Sequence, residues 1–194
     1  MQESALRTDD KRLRIENAAI ELFLRQGIGG TSVGQIAQKA GVAKGSVYTY
    51  FKDKQAIIDQ AVLDKTFEVF EYTLQQAPPA QGEDWPVTFC GALIDFYTQN
   101  PHILRFIMAS KERGVLASYV ESGQLSVPQG HFLRRLVGHF CCGEPTRDDF
   151  NRMAMALEFV VSSSYYAVVR RQPDDIRVVR PLILHTVSKL CSSR

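Results

Sequence analysis

The chain has 194 residues, 45% hydrophobic and 23% charged, which is an ordinary composition for a globular protein with a buried core. Its length allows one large domain or two smaller ones, and its composition excludes wholesale disorder. The formal net charge of +2 does not by itself identify a nucleic-acid binder. Residues 1–55 nevertheless carry nine basic and six acidic side chains, and such a mildly basic segment permits phosphate contacts.

Two absences narrow the class of protein further. The polar start "MQESALRTDDKRLR" is unlike a signal peptide, and no apolar run is long enough to span a membrane. None of the four cysteines stands in a C-x-x-C pair, so we expect no metal, no cofactor and free thiols in the cytoplasm. The adjacent Cys141 and Cys142 leave open an alternative role in sensing oxidants or electrophiles.

The first predicted helix covers residues 11–26 and ends at Gly27. Its apolar residues recur at the spacing of an amphipathic helix. They are Ile15, Ala18, Ala19, Leu22 and Phe23.

Two short helices follow. Ser32 stands as an N-cap with Gln35 in the capping-box position, which predicts a helix over residues 33–40. Gly41 then occupies the place of a left-handed residue that ends this helix. The second short helix begins about two residues later and runs to about Phe51.

The rest of the chain is also helical in pattern. Asp53 can cap a long helix that continues to about Gln76, where "APPAQGEDWP" interrupts the chain. Further helical patterns cover residues 86–99, 102–111, 114–140 and 146–171, followed by a last helix that contains Pro181. We therefore predict an all-α protein with about nine helices.

The two short helices predict a helix-turn-helix. Ala37 is small where the helices cross, Gly41 tolerates the turn, and Val47 is an apolar anchor on the second helix. The amino-terminal part of that second helix enters the major groove of DNA in this motif. The residues predicted to contact DNA are Thr31, Ser32, Lys44, Gly45, Ser46, Tyr48, Thr49, Tyr50 and Lys54. The alternative, in which the aromatic residues only pack, applies above all to Phe51 and partly to Tyr50.

Residues Ile15 to Ile58, "IENAAIELFLRQGIGGTSVGQIAQKAGVAKGSVYTYFKDKQAII", resemble the DNA-binding region of the tetracycline-repressor (TetR/AcrR) family of bacterial regulators. The A-A-x-x-L-F stripe, I-A-x-x-A-G-V, G-x-x-Y-x-Y-F and the following Asp-Lys stand in order. The resemblance implies a helix-turn-helix DNA-binding domain, residues 1–54, and a helical ligand-binding and dimerisation domain, residues 55–194. It also implies that Tyr48, Tyr50, Lys54 and the Thr31/Ser32 pair contact DNA.

The sequence departs from the family pattern at two positions. Ala43 stands where the family often has Ser or Thr, so the second helix loses a side-chain cap worth about 1 kcal/mol. Gly34 stands where many relatives carry a longer polar side chain. Both departures bear on the individual operator contacts.

The resemblance also implies a homodimer in which the last two helices pair with their copies. Two recognition helices would then lie roughly 34–36 Å apart on a palindromic operator. The predicted interface residues are Met153, Leu157, Val161, Tyr165, Val168, Val179, Leu182, Ile183, Val187 and Leu190. The alternative is that both helices belong wholly to the core.

A ligand pocket is expected between the fourth and eighth helices, for an apolar or aromatic small molecule. Its candidate walls are Phe67, Phe70, Phe89, Phe96, Tyr97, Phe106, Met108, Phe132, Phe159 and Tyr166. Each of these residues can equally be ordinary core. His102, His131 and His139 are either polar anchors in this pocket or structural and surface histidines.

We therefore expect a ligand-responsive repressor that binds double-stranded operator DNA and is released by a small-molecule effector. The alternative is a DNA-binding regulator without an inducer, acting constitutively or as an activator. An enzyme is not expected, because the chain lacks a nucleophile elbow, a phosphate-binding glycine loop, an H-E-x-x-H motif and a paired-carboxylate motif.

Overall fold

The computed structural model describes residues 2–79, 84–109, 127–140 and 144–191. Within these ranges the chain forms nine α-helices and no β-strand, which confirms the all-α prediction. No helix in the described part of the chain combines the length and the apolar character needed to cross a bilayer.

Three helices form the amino-terminal head: α1 (Gln2–Gln26), α2 (Val33–Ala40) and α3 (Lys44–Tyr50). Helix α1 begins well before the predicted residue 11 and buries the predicted apolar stripe. It ends at Gly27, which has φ 78° and donates its N–H to the Phe23 carbonyl at 2.9 Å. Helices α2 and α3 both pack against α1, which carries this apolar stripe.

Helix α4 (Lys54–Gln76) joins the head to the rest of the molecule. The Asp53 carboxylate caps it by accepting the Ala56 N–H at 2.9 Å, as the sequence predicts. Helix α4 packs against α1 and also against the body helices, with Ile57 and Phe70 both buried. It therefore links the two parts of the chain through packing as well as through the backbone.

The body consists of five further helices and one π-helical turn, with α5 in contact with all its other helices. They are α5 (Trp85–Gln99), α6 (Pro101–Ile107), α7 (Val127–Phe140), α8 (Arg147–Ser164), the π-helical turn Tyr165–Arg170 and α9 (Ile176–Cys191). The predicted segment 146–171 is thus α8 plus the π turn. Of the predicted segment 114–140, residues 114–126 lie outside the described part of the chain.

Head and body share one cluster of buried residues that extends from Ile15 to Val187. The Phe23 ring of α1 contacts the Phe106 ring of α6, with centroids 5.9 Å apart. The division into domains at residues 1–54 and 55–194 remains a prediction, and packed side chains of the shared core join the two parts.

Candidate nucleic-acid interface

Local hydrogen bonds define the start of α2 and the turn between α2 and α3, and the capping box at the start of α2 is as the sequence predicts. Ser32 Oγ accepts the Gln35 N–H at 3.2 Å, and the Gln35 side chain accepts the Ser32 N–H at 2.8 Å. Gly41 adopts φ 65°, a left-handed conformation that costs glycine little. The Val42 N–H then donates to the Ala37 carbonyl at 3.0 Å, which closes the turn and sets the start of α3.

Two apolar residues hold α3 against the head. Val47 is fully buried, and Phe51, directly after the helix, is 4% exposed. The Phe51 N–H donates to the Val47 carbonyl at 3.0 Å and so ends α3. The packing role predicted for Phe51 is confirmed, and the opposite face of α3 stays accessible.

The accessible face of α3 carries the predicted DNA contacts. Lys44, Gly45 and Thr49 are exposed, and Tyr48 is 49% exposed despite its large ring. A Cβ atom built on Gly45 has no described atom within 4 Å, so packing in the described structure does not require a glycine there. Tyr48 and Gly45 are therefore accessible on this face of α3.

Ser46 and Tyr50 are half-buried and contribute to this face only in part. Tyr50 also packs against the buried cluster, so it combines the two roles that the sequence left open. Ala43 is the N-cap residue of α3 in extended conformation, and its methyl group cannot accept a hydrogen bond. The uncapped start of α3, predicted from the sequence, is therefore present.

The two residues before α2 differ from each other. Ser32 is exposed and stays a predicted DNA contact. Thr31 is only 2% exposed, and its hydroxyl donates to the Gly27 carbonyl at 2.8 Å. The prediction for the Thr31 side chain is corrected accordingly. This side chain hydrogen-bonds within the loop between α1 and α2 and is not exposed for contact with DNA.

Lysines flank the other end of α3. Lys54 is half-buried and donates from Nζ to the Ile28 carbonyl at 2.6 Å, an interaction that the sequence did not indicate. An ammonium group has three donors, so the predicted phosphate contact of Lys54 remains compatible with this bond. Lys52 is exposed beside it and was missed, although its place directly after the G-x-x-Y-x-Y-F motif was a usable signal.

The predicted ligand walls separate into two groups. Six of the ten are buried and belong to the continuous core: Phe67, Phe70, Phe89, Tyr97, Phe106 and Phe132. Several of them pack ring against ring, as Phe67 does on Phe132 at 5.8 Å and Phe70 on Phe89 at 6.3 Å. Phe96 and Met108 are half-buried and pack against the same core. These eight residues therefore pack as ordinary core, which is the alternative that the sequence left open for them.

A cavity of about 440 Å³ lies elsewhere, between α8, the π turn and α9. Phe159 and Tyr166, the two remaining predicted wall residues, line it together with Leu182 and Ile183. This cavity lies outside the region between the fourth and eighth helices, and the ligand pocket expected there stays a prediction. The cavity opens on the outer side of the last two helices.

The predicted dimer residues require a second correction. Six of them face the core of the single chain and are at most 9% exposed: Met153, Leu157, Val161, Val179, Ile183 and Val187. Tyr165, Val168 and Leu190 are half-buried, and only Leu182 is widely exposed, at 66%. The outer face carries three further exposed apolar residues that the prediction did not include as interface residues: Met155, Tyr166 and Val178. Both faces of these helices are apolar, which is why the sequence pattern did not distinguish them.

The candidate sensor groups have ordinary surroundings. His102 and His131 are exposed, whereas His139 stacks edge-on to Trp85 at 5.1 Å, where burial and the nearby Arg135 lower its pKa. Cys141 and Cys142 lie outside the described residues. Burial raises the pKa of the Cys191 thiol to about 11, which leaves little thiolate at neutral pH.

Comparison with known proteins places the head in a family. Residues 15–61 match the family model described as bacterial regulatory proteins, tetR family. The HTH-type transcriptional regulator SrpR of Pseudomonas putida is 42% identical over 62 residues, which are 32% of this chain and 29% of that protein. The chain thus matches less than a third of the length of this relative.

Solved structures extend the likeness of fold to the body. A TetR transcriptional regulator from Rhodococcus sp. RHA1 has a TM-score of 0.61 at 17% identity, covering 94% of this chain and 96% of that one. The transcriptional regulator FadR from Bacillus subtilis, in complex with stearoyl-CoA, has a TM-score of 0.55 at 17% identity, covering 93% and 97%. The amino-terminal head thus matches the tetR family of bacterial regulatory proteins, and these solved structures share the fold of nearly the whole chain.

Proposed function

We propose that this protein binds a palindromic operator as a homodimer and represses transcription until a small molecule releases it. The observation that carries the proposal is the exposed face of α3, with Tyr48, Thr49 and Lys44 outward and Val47 buried behind them. Side chains on such a helix read base edges and phosphates in the major groove. Because the proposed target is bacterial operator DNA, the proposed site of action is the cytoplasm.

Operator binding is tested on a duplex that the wild-type protein selects from a random-sequence pool. Tyr48→Phe removes one hydroxyl and should weaken binding by about 1 kcal/mol or more if that hydroxyl contacts a base. Tyr72→Phe is the matched control, because Tyr72 of α4 is 48% exposed and lies outside α3. Equal affinities for both variants would remove Tyr48 from the interface.

The phosphate contact is tested by the salt dependence of the same binding reaction. Lys44→Ala should lower the slope of log K against log[salt] by about 1, because one counterion fewer is released. Lys189→Ala, at an exposed position of α9, is the control. A slope unchanged from wild type in both variants would contradict a phosphate contact at Lys44.

The proposal of a homodimer is supported by the outer face of α8, the π turn and α9. Met155 is 61% exposed, Val178 57% and Leu182 66%, and Tyr166 and Leu182 border the cavity. Contiguous exposed apolar groups mark surfaces that bind other proteins, and the palindromic operator of the proposal calls for two copies. A second copy of this face would cover the exposed side chains.

Leu182→Asp should convert the dimer to a monomer, measured by sedimentation velocity, because it buries an unpaired charge in the interface. Leu13→Asp is the matched control, since Leu13 of α1 is 55% exposed and distant in the chain from this face. Identical sedimentation of the Leu182 variant and wild type would contradict this interface.

The proposal of a small-molecule effector is supported by two buried hydroxyl groups. Tyr97 of α5 and Ser164 of α8 are fully buried, and neither hydroxyl has a hydrogen-bond partner among the described residues. Such groups destabilise the protein by about 1–3 kcal/mol each unless something binds to them. A largely apolar ligand with one polar group would match this environment.

The effector is tested with a panel of acyl-CoA thioesters, free fatty acids and aromatic hydrophobes. A true effector at 100 times its Kd should stabilise the protein by about 2.7 kcal/mol and dissociate the operator complex. Tyr97→Phe should reduce that stabilisation while leaving operator binding unchanged.

The second candidate, a regulator without an inducer, is favoured by the ring-to-ring packing of the predicted wall residues. It predicts that no compound changes the melting temperature or releases the DNA.

A further inference from the structure

Arg12 of α1 lies three residues before the segment that matches the family model, and it contacts three different parts of the molecule. Its Nε donates to Glu16 Oε1 at 2.8 Å within the same helix. One terminal nitrogen donates to Gln60 Oε1 of α4 at 3.2 Å. Its guanidinium carbon lies 5.7 Å from the centre of the Phe51 ring. A single side chain thus joins α1, α4 and the end of the recognition helix.

The contact with Phe51 is the one that concerns α3. Phe51 is the C-cap residue of this helix and is 4% exposed, so the position of its ring determines where α3 ends against the head. A planar guanidinium on an aromatic face attracts the ring and can hydrogen-bond at its edges simultaneously. Arg12 therefore links the residue that follows α3 to both α1 and α4.

The hydrogen bonds continue from Arg12 into the body. Gln60 Nε2 donates to Asp64 Oδ1 at 2.9 Å, one helical turn further along α4. Gln129 of α7 donates from Nε2 to the same Asp64 oxygen at 3.2 Å. Four side chains, Arg12, Gln60, Asp64 and Gln129, thus form one chain of contacts from the recognition helix to α7. We call it the junction chain.

Two acidic side chains, Glu16 and Asp64, lie beside Arg12 in the junction chain. Glu16 and Asp64 are both largely shielded from water and repel each other, which raises the pKa of the Glu16 carboxyl. Arg12 is the cation that attracts both carboxylates in this arrangement. The Arg12 side chain is itself 49% exposed, so water screens part of this attraction.

We propose that Arg12 is a positioning residue for the recognition helix and that the junction chain makes the placement of that helix depend on α7. This role rests on the proposed binding of operator DNA. It gives a direct route by which a change in the body alters DNA affinity, with no need for the body to touch DNA. Arg12 itself acts through Phe51 and does not contact phosphate.

The first experiment measures operator affinity of Arg12→Lys at several salt concentrations, with the duplex selected by the wild-type protein. Lysine keeps the charge but cannot donate to Glu16 and Gln60 while lying flat on Phe51. We expect binding about 5-fold weaker or more, with the salt slope of wild type. Arg25→Lys, the same change at an exposed position of α1, should bind as wild type does.

Three outcomes separate the explanations. If the wild-type protein selects a duplex and Arg12→Lys binds that duplex with the same affinity, the positioning role is overturned while the proposed function stands. For Arg12→Ala, a salt slope lowered by about 1 also overturns it, because Arg12 would then contact phosphate. A wild-type protein that selects no duplex overturns the proposed function, and the positioning role with it.

The second experiment tests the connection to α7. Gln129→Leu should weaken operator binding through the lost contact with Asp64 of α4, whereas Gln99→Leu, at an exposed position of α5, should not. For the double variant Arg12→Lys/Gln129→Leu, the fold-decrease in operator affinity should be smaller than the product of the two single fold-decreases. Both substitutions act on one chain of contacts, so their effects are not independent. Fully multiplicative losses overturn the connection. All affinities are compared at a temperature where urea titrations show every variant to be folded.

Discussion

The head and the body of this protein contain the same kind of helix, yet their sequences define the structure to different degrees. In the head, each structural step is set by neighbouring residues: Ser32 with Gln35, Gly41 in the turn, and Val47 under α3. In the body, apolar residues cover several faces of each helix, so that α9 has both Ile183 at 3% and Leu182 at 66% exposure. Local signals therefore define the head, whereas tertiary packing decides the role of each residue in the body.

The largest expected effect tests whether the aromatic residues of the body are core. Phe89 is fully buried and its ring lies near those of Phe70, Trp85 and Phe140. Phe89→Ala should lower the free energy of unfolding by about 3–5 kcal/mol, measured by urea denaturation, because it leaves a cavity among close-packed rings.

The control for this prediction is Gln99→Ala, at an exposed position near the end of the same helix, which should change stability by about 0.5 kcal/mol at most. A loss of only about 1 kcal/mol in Phe89→Ala would mean that the ring borders free space. The body would then contain the interior pocket predicted from the sequence, and the contrast with the head would weaken.

Individual residues show how far the sequence could lead. The N-cap at Ser32, the left-handed Gly41 and the buried Phe51 followed from local chemistry and are present. Thr31 was misassigned because its hydroxyl bonds to the Gly27 carbonyl, a partner fixed only once the loop after α1 is formed. In the body, Leu157 was assigned to the dimer face and is 2% exposed. Helical periodicity gives the angle between two residues, not which of two apolar faces meets the core.

The next largest effect compares two glycines of the head. Gly41 has φ 65°, so Gly41→Ala should destabilise the protein by about 1–2 kcal/mol through backbone strain. Gly45 is helical with no described atom within 4 Å of an added Cβ, so Gly45→Ala should be neutral or stabilise by up to about 1 kcal/mol. Urea titrations measure both changes.

The same two variants should rank in the opposite order when operator affinity is measured in place of stability. Gly45→Ala should weaken binding despite its equal or greater stability, because the methyl group keeps the α3 backbone from the DNA. Gly41→Ala should bind normally once it is folded. If Gly45→Ala binds as tightly as wild type, that glycine does not approach the operator, and the exposed face of α3 is narrower than proposed.

The smallest expected effect concerns the junction where head and body meet. Burial is the largest cause that raises the pKa of Glu16 above 4.5 and that of Asp64 above 3.8. Hydrogen bonds from Arg12 to Glu16 and from Gln60 and Gln129 to Asp64 oppose this only in part. Both carboxyls thus bind protons more readily in the folded protein than in the unfolded chain.

Because the folded state takes up protons first, these two groups add to the free energy of unfolding as the pH falls from neutral towards the ordinary carboxyl range. Glu16→Gln removes the Glu16 part of this dependence. The stability of wild type relative to the variant should therefore increase as the pH is lowered towards about 4.5, in urea titrations with circular dichroism as the check on fold. A relative decrease would mean that the Arg12 bond outweighs burial and that the junction is held by an ion pair. Attraction between Arg12 and the carboxylates would then dominate at the contact between body and head, and burial of Glu16 and Asp64 would be the smaller effect.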